Sequence, residues 1–228
     1  MKKPLYFFDL DDTLVDHLAA EEAAHRATHA EHGGLFDGIA FDDWLARYRV
    51  RNLALWKAYC RGEIDRHELS HRRFVEPLAD FDLDPGHGDS IRTTYLRHYE
   101  REWTLVDGAE EILEFGAREG IVGILSNGLR EQQWNKIRTF RLDRWARHVV
   151  LSEEVGAMKP DRAIFDAAWK AAGGEKVRKV YVGDSWEIDV LGAKAAGWLP
   201  IFFDRRGVGP PKPAIYVRRL VDLKPLLS

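Results

Sequence analysis

Two aspartates, Asp9 and Asp11, follow the apolar segment Leu5–Phe8 and stand two residues apart. In an extended segment, side chains at this spacing point the same way. Two like charges about 4 Å apart repel by about 4 kcal/mol at an effective dielectric near 20. We therefore expect the pair to share a proton, to hold a cation, or to do both. Carboxylate oxygens suit Mg²⁺, although an acidic turn after a strand would have the same sequence.

A second candidate segment follows residues 121–125, which are apolar and predict a strand. Ser126, Asn127 and Gly128 come next, just ahead of a predicted helix. The hydroxyl, the amide and the bare backbone offer hydrogen-bond donors to an anion at a helix amino terminus. Asn-Gly is also an ordinary turn signal, so this segment indicates anion binding only together with other groups.

A lysine and two more aspartates lie further along the chain. Lys159 precedes Pro160, which favours the first position of a helix, and a lysine near carboxylates and a phosphate would neutralise their charge. Asp184 follows the apolar segment 180–182, and Asp189 falls in the first turn of the next predicted helix, where the dipole favours a carboxylate. Taken singly, Lys159 is typical of solvated surface and Asp184 of a helix cap.

The elements that must position these residues are alternating strands and helices. The first strand is Leu5–Phe8, and beyond about residue 102 further strands are predicted over residues 121–125, 148–151, 179–182, 200–203 and 215–217. Helices are predicted from residue 129, from residue 160 and over residues 186–196. This alternation predicts an α/β fold with a doubly wound parallel sheet, in which ligands bind beyond the carboxyl ends of the strands.

The stretch between the first and second strands has a different pattern. No strong strand is predicted there, and amphipathic helices are predicted over residues 18–29, 41–57, 65–75 and 90–99. We therefore predict a catalytic core formed by residues 1–15 and 102–228, with residues 16–101 inserted into it as a helical cap.

Together and in this order, the motifs resemble those of the haloacid dehalogenase-like hydrolase superfamily, subclass I, whose Rossmann-like core carries an inserted helical cap. The resemblance covers the whole chain and rests on Asp9-x-Asp11-x-Thr13, Ser126, Lys159 and Gly183-Asp184 with Asp189. Dehalogenase members lack the second aspartate of the first motif and need no metal. Because this chain has Asp11, the resemblance implies a phosphatase.

The resemblance also implies a role for each motif. Asp9 would attack phosphorus and form an aspartyl-phosphate, and Asp11 would serve as general acid and then general base. Mg²⁺ would be held by Asp9, the backbone carbonyl of Asp11 and Asp184, with Asp189 as a nearby or water-bridged ligand. The phosphoryl group would be held by catalytic Lys159 together with Thr13, Ser126 and the amides of Asn127 and Gly128.

The substrate would be a small phosphomonoester selected mostly by the cap. Glu153-Glu154-Val155-Gly156, Leu55-Trp56 and Gly62-Glu63-Ile64 resemble segments of house-cleaning 5'-nucleotidases, which implies a nucleoside 5'-monophosphate. Phosphatases of phosphoglycolate and of sugar phosphates share much of this pattern and stay open as an alternative. Cap aromatic residues interleaved with arginines predict either cap core with a solvated basic face or a surface that stacks on a base: Trp44, Tyr48, Trp56 and Tyr59, with Arg47, Arg49 and Arg51.

Composition limits partners and location. The net charge of −3 and the lack of a long basic run predict no nucleic-acid partner. The single cysteine, Cys60, excludes an intramolecular disulfide. The first apolar run is too short for a signal peptide, and no segment approaches a membrane-spanning length. We expect a cytoplasmic monomer or homodimer with no membrane partner.

Two other classes of protein deserve comparison. The segment from His67 through Glu68 to His71 fits the zinc metalloprotease pattern H-E-x-x-H, but no glycine and third histidine follow it. A phospho-acceptor signalling module would also use clustered aspartates and a lysine. The helical insertion and the position of the nucleophile after the first strand argue against that module. A further histidine set on one helical face favours surface or cap core over a site: His25, His29 and His32.

Overall fold

The structure is a computed structural model that describes residues 2–228. It contains two compact units. The first, which we call the core unit, comprises the chain up to His17 together with Thr104–Ser228. The second, the inserted unit, is Leu18–Trp103. Among the described residues, no helix combines the length and the apolar character that crossing a bilayer requires.

The core unit is built on a sheet of six strands: β1 Leu5–Phe8, β2 Ile121–Ser126, β3 Ala146–Leu151, β4 Lys179–Gly183, β5 Leu199–Phe203 and β6 Tyr216–Val217. Their order in the sheet is β3-β2-β1-β4-β5-β6, and every neighbouring pair is parallel. The sheet and its connecting helices confirm the predicted α/β fold.

The central position of β1 decides where the site forms. All four residues of β1 are buried, as expected for a strand covered on both faces. Phe8 pairs with Ile124 on one side and with Val182 on the other. The strand order reverses between β1 and β4, and such a switch point opens a crevice at the carboxyl edge of the sheet. Asp9 therefore emerges at the middle of that edge.

Helices connect the strands of the core unit, and a last helix follows β6. They are α5 Ala109–Glu119, α6 Arg130–Thr139, α7 Ser152–Val155, α8 Arg162–Ala171, α9 Leu191–Ala195 and α10 Lys224–Leu227. Helix α5 was not predicted, although its buried residues have helical spacing: Ala109, Ile112, Leu113 and Gly116. The predicted helix over 186–196 opens with a π-helical turn, Trp186–Val190.

Pro160 does not open a helix, contrary to the prediction. Helix α8 begins at Arg162, and the Lys159–Pro160 peptide bond is cis. Asp161 is the N-cap instead, because its carboxylate accepts a hydrogen bond of 2.9 Å from the amide of Ala163. Such a cap satisfies an amide that the first turn of a helix leaves unpaired.

The apolar core of this unit lies between the sheet and its covering helices. Phe7 of β1 and Tyr181 of β4 are buried with Phe165 of α8 and with Trp198. The rings of Phe7 and Trp198 meet edge to face, with centroids 5.3 Å apart. This packing fixes β1 and β4 beneath the loops that carry the candidate site.

Four α-helices form the inserted unit, and the first residue of α1 still belongs to the core unit: α1 His17–Glu31, α2 Phe41–Cys60, α3 Arg66–Ala79 and α4 Gly88–Tyr99. An aromatic cluster forms its interior, where the His25 ring lies 3.9 Å from the Tyr48 ring and 4.5 Å from the Tyr95 ring, centroid to centroid. Trp44 is fully buried beside them, and its indole N–H approaches His25 Nδ1 at 3.4 Å. The α2 aromatic residues Trp44 and Tyr48 therefore contribute core packing.

Candidate active site

The predicted site residues lie on four loops around the carboxyl ends of β1, β2 and β4. Asp9, Asp11 and Thr13 follow β1, while Ser126 ends β2 and is followed by Asn127 and Gly128. Lys159 lies between α7 and α8, and Asp184 and Asp189 follow β4. Two groups of contacts form among them, one around Lys159 and one around Asp11.

The ammonium group of Lys159 is the centre of the first group. It donates hydrogen bonds of 2.7 Å to Asp9 Oδ1 and 2.7 Å to Asp189 Oδ1. A third bond of 2.9 Å reaches the hydroxyl of Tyr181. The Lys159 side chain is only 3% exposed, so its charge interacts with the carboxylates in a poorly screened setting. Lys159 therefore neutralises part of a buried cluster of acids.

Tyr181 is a site residue that sequence reasoning missed. Its hydroxyl also donates to the backbone carbonyl of Leu125, at 3.1 Å. Because Leu125 precedes Ser126, this bond ties the end of β2 to Lys159 through β4. In the sequence Tyr181 looks like one more apolar residue of a buried strand, so only its position beside Lys159 distinguishes it.

Asn127 holds the backbone of Lys159 through its side chain. Its Nδ2 donates to the Lys159 carbonyl at 2.8 Å, and its Oδ1 accepts from the Lys159 amide at 2.7 Å. The two bonds form a closed pair that fixes the loop after β2 against the loop before α8. The Asn127 side chain therefore positions Lys159, while its own backbone amide is the group that the sequence assigns to phosphate.

Asp189 is held from both sides of its carboxylate. Oδ1 accepts from Lys159, as described above, and Oδ2 accepts from the amide of Ser185 at 3.0 Å. Gly183 leaves space for this arrangement, since a Cβ at that position would lie 2.4 Å from Asp189 Cγ. Both oxygens of Asp189 thus already have protein donors.

The cluster carries more negative than positive formal charge. Asp9, Asp184 and Asp189 offer carboxylate oxygens that all lie within 4.8 Å of one another. Burial raises the pKa of Asp9 to about 7, although Lys159 opposes the rise. Burial and the charges of Asp9 and Asp189 raise the pKa of Asp184 to about 8. A divalent cation among these oxygens would favour the ionised carboxylates and so oppose both shifts.

Asp11 belongs to the second group of contacts and has a lysine of its own. Lys136 of α6 donates to Asp11 Oδ1 at 2.6 Å, and Gln133 donates to Oδ2 at 2.7 Å. Burial acts to raise the pKa of Asp11, but Lys136, His17 and Gln133 outweigh it and lower the pKa to about 2. In the structure, Asp9 makes an ion pair with Lys159 and Asp11 makes one with Lys136. The expectation that Asp9 and Asp11 share a proton or a cation stays a prediction.

Gln133 connects Asp11 to the loop after β2. Its Nε2 also donates to Ser126 Oγ at 2.7 Å, and the Gly128 amide approaches the same oxygen at 3.3 Å. Ser126 Oγ therefore accepts two bonds, and its own proton is left to donate to a ligand. A Cβ at Gly128 would lie 1.9 Å from Gln133 Nε2, so the glycine makes room for Gln133.

Thr13 completes the predicted phosphate-binding set. It is fully buried, and its hydroxyl has no hydrogen-bond partner among the described residues. A buried hydroxyl without a partner costs about 1–3 kcal/mol. The site therefore has a polar group whose hydrogen bond a ligand or water could complete.

The H-E-x-x-H segment serves helix capping. Glu68 accepts from the Asp65 amide at 3.0 Å, and Asp65 accepts from the Glu68 amide at 2.8 Å, which is a capping box at the start of α3. His71 lies beside Asp89 at 3.4 Å. In the described part of the chain, the Asp9–Asp184–Asp189 cluster is the group of three or more potential ligands close enough to share a metal.

The remaining α1 histidines have structural partners. His29 bonds to the carbonyl of Ile39 at 2.9 Å, and His32 bonds to the Thr94 hydroxyl at 3.0 Å. Among the α2 arginines, Arg49 pairs with Glu21 at 2.9 Å. His29, His32 and Arg49 therefore each have a structural partner within the inserted unit.

The model of the haloacid dehalogenase-like hydrolase family matches residues 4–197. The chain belongs to this family. The predicted superfamily is thus confirmed. Membership also disfavours the signalling module, because the matched family consists of hydrolases.

Several proteins of known name are similar in sequence to this chain over most of their own length. The HAD-hydrolase YfnB of Bacillus subtilis is 27% identical over 83% of this chain and 79% of its own. Pyrimidine 5'-nucleotidase YjjG of Escherichia coli is 29% identical over 86% of this chain and 84% of its own. The glyceraldehyde 3-phosphate phosphatase of Methanothermobacter thermautotrophicus is 38% identical over 84% of this chain and 81% of its own.

The solved structure of YfnB bound to magnesium matches the whole of this chain and 99% of that protein, with a TM-score of 0.86 and 25% identity. The relatives include named phosphatases and nucleotidases. The prediction that the chain is a phosphoric monoester hydrolase of this family is therefore confirmed.

Proposed function

We propose that the protein is a magnesium-dependent phosphatase that forms an aspartyl-phosphate on Asp9. The observation that carries this proposal is the buried cluster in which Lys159 bonds to both Asp9 and Asp189 while Asp184 lies within metal-sharing distance. A carboxylate nucleophile, a cation for the phosphoryl oxygens and a metal-binding acid are what transfer of a phosphoryl group to an aspartate requires.

The donor set fits Mg²⁺, which prefers hard oxygen ligands and few protein carboxylates. Asp9, Asp184 and the backbone carbonyl of Asp11 would hold the ion. Asp189, whose two oxygens already accept from Lys159 and Ser185, would act through them or through a water. Bound Mg²⁺ would supply positive charge to the phosphoryl oxygens and lower the repulsion between Asp9 and the substrate.

In the first step, a carboxylate oxygen of Asp9 forms a bond to phosphorus, and the bond from phosphorus to the leaving oxygen breaks. Ser126 and Thr13 offer hydroxyl protons to the phosphoryl oxygens, and Lys159 offers its charge. Asp11 delivers a proton to the leaving oxygen. Because Lys136 keeps Asp11 ionised before substrate binds, this role requires the ion pair to weaken in the substrate complex and Asp11 to take up a proton there, from solvent or from a substrate bound as its phosphate monoanion.

In the second step, water attacks phosphorus and the bond from phosphorus to Asp9 breaks. The proton of the water passes to Asp11, and inorganic phosphate leaves as the Asp9 carboxylate is restored. Lys136 favours the ionised form of Asp11, and that is the form that accepts this proton.

For the substrate, we propose a nucleoside 5'-monophosphate. The support is the similarity to a pyrimidine 5'-nucleotidase of Escherichia coli, together with the cap segments that resemble those of 5'-nucleotidases. A second candidate is a triose or other sugar phosphate, or phosphoglycolate. The 38% identity to a glyceraldehyde 3-phosphate phosphatase favours a triose phosphate within that group.

Phosphate release from purified protein tests the reaction. We expect turnover of 4-nitrophenyl phosphate with Mg²⁺, no turnover in excess chelator, and recovery when Mg²⁺ is restored. Asp9→Asn should abolish turnover, and Asp11→Asn should lower kcat by about 10²- to 10⁴-fold. Asp166→Asn, on α8, is the matched control and should keep wild-type activity.

Full activity of Asp9→Asn, or undiminished turnover in chelator, would contradict the mechanism. A screen of nucleoside monophosphates, triose phosphates and phosphoglycolate then tests the substrate. A tenfold preference in kcat/KM corresponds to about 1.4 kcal/mol of differential transition-state binding. A preference of that size for triose phosphates would reject the nucleotide assignment and leave the phosphatase assignment intact.

A further inference from the structure

Helix α6 presents two buried polar residues to the carboxylate of Asp11. Gln133 and Lys136 lie three residues apart, so they share one face of the helix. Gln133 is fully buried and the Lys136 side chain is 2% exposed. Residues of these types are seldom buried unless they have partners. The burial of Gln133 and Lys136 therefore indicates that their side chains interact with specific partners inside the protein.

The two contacts fix both oxygens of Asp11. Lys136 donates a hydrogen bond of 2.6 Å to Oδ1, and Gln133 donates one of 2.7 Å to Oδ2. A carboxylate held at both oxygens cannot rotate without breaking at least one charge-assisted hydrogen bond, each worth about 1.5–3 kcal/mol. The orientation of Asp11 is therefore set by α6.

Gln133 extends this control to the loop after β2. The same amide nitrogen that bonds to Asp11 also bonds to Ser126 Oγ at 2.7 Å. Gly128 has no side chain to obstruct it. One side chain thus spans the residue proposed for proton transfer and a residue proposed for phosphate binding.

We propose that Gln133 and Lys136 are positioning residues that hold Asp11 for hydrolysis of the aspartyl-phosphate. The inference rests on the proposed function. Both residues act through the Asp11 carboxylate that they hold, and neither bonds to phosphorus or accepts the proton itself. In that step water forms a bond to phosphorus, the bond to Asp9 breaks, and the proton from water goes to Asp11. A freely rotating Asp11 would meet the attacking water less often, so this step would slow.

Steady-state and burst kinetics with 4-nitrophenyl phosphate test the inference, because 4-nitrophenolate leaves without needing a proton. Lys136→Met and Gln133→Leu are expected to lower kcat by about 10- to 100-fold, the range typical when a supporting hydrogen-bond partner is lost. KM should not rise. A burst of nitrophenol approaching one equivalent per enzyme should precede the slow phase, since the phosphoenzyme accumulates. Lys136→Arg, which keeps the cation, should retain more activity than Lys136→Met.

Matched controls are Lys170→Met on α8 and Gln132→Met on α6, at positions more exposed than Lys136 and Gln133. Both should behave like wild type. Thermal melts identify any variant that fails to fold, and Gln133→Leu carries the test if Lys136→Met does not fold. Wild-type kcat in folded Lys136→Met and Gln133→Leu would overturn the inference.

A double-mutant cycle separates positioning from general structural damage. If Lys136 acts through Asp11, adding Lys136→Met to Asp11→Asn should cost less than about twofold. A full multiplicative loss in that background would overturn the inference. A wild-type protein that releases no phosphate would overturn the proposed function and this inference with it. Active wild type with unaffected α6 variants would overturn the inference alone.

Discussion

Replacing Lys159 by methionine should destabilise the metal-free protein while retaining most of the side-chain volume. Lys159 is the cation that bonds directly to both Asp9 and Asp189. Its removal leaves these two buried acids close to the half-buried Asp184 without that positive charge. The hydrogen bond from Lys159 to the Tyr181 hydroxyl is lost as well.

The magnitude follows from the burial of the ion pairs. The Lys159 and Asp189 side chains are 3% and 1% exposed, so solvent cannot take over the role of the lost partner. Breaking a buried pair by removing one partner costs about 3–5 kcal/mol. The Asp9 and Asp184 carboxyls can reduce this cost by taking up protons, because their pKa values are already raised to about 7 and about 8. The loss should therefore be larger at pH 8.5 than at pH 5.5.

Urea unfolding followed by tryptophan fluorescence, in chelator, measures this loss. Mg²⁺ at about 100 times its dissociation constant should restore about 2.7 kcal/mol if the variant still binds the ion. Lys170→Met, an exposed lysine on α8, is the control and should lie within about 0.5 kcal/mol of wild type. A Lys159→Met protein as stable as this control at pH 8.5 would refute the account of the cluster.

Two further predictions concern pH. In metal-free protein, the pKa values of Asp9 and Asp184 are higher in the folded than in the unfolded state, so protonation of these carboxyls stabilises the fold. This contribution is at its maximum below the unfolded-state pKa of about 4. It is lost as the pH rises through the folded-state values of about 7 and about 8. Unfolding from pH 5 to 9 should show this decline, and saturating Mg²⁺ should abolish it. Burial holds the pKa of His25 well below its usual value. As the pH decreases below about 6.5, the free energy of unfolding should therefore fall by up to about 1.4 kcal/mol per pH unit. His25→Phe should remove this acid-dependent loss of stability.

Local sequence could predict the elements and the motif residues because both leave short-range signals. A buried run ending in acids, as at Leu5–Phe8 followed by Asp9, indicates a parallel strand that meets a site. Most element ends differed from prediction by a few residues. The start of α8 was displaced because Asp161 is a better N-cap than the residues before Pro160.

The partners of the motif residues were not predictable in the same way. Gln133 and Lys136 are of types that usually face solvent, and α6 has few apolar residues to mark its buried face. Their contacts with Asp11 span 122 and 125 residues along the chain. Tyr181 was not predicted as a site residue because an aromatic residue in a buried strand is already explained by packing. Only the tertiary structure brings these side chains to the site.

Two glycines of the motifs, Gly128 and Gly183, are a sequence feature that these long-range contacts require. The sequence suggests that Gly128 bares its backbone for an anion, and Gly183 is simply part of a motif. In the structure, a Cβ at either position would collide with the side chain of Gln133 or of Asp189. Each glycine therefore admits a polar group that then fixes a functional residue: Gln133 fixes Asp11, and Asp189 fixes Lys159. The absence of a side chain at these positions is a packing requirement of the site, and it holds whether or not the backbone amide also binds phosphate.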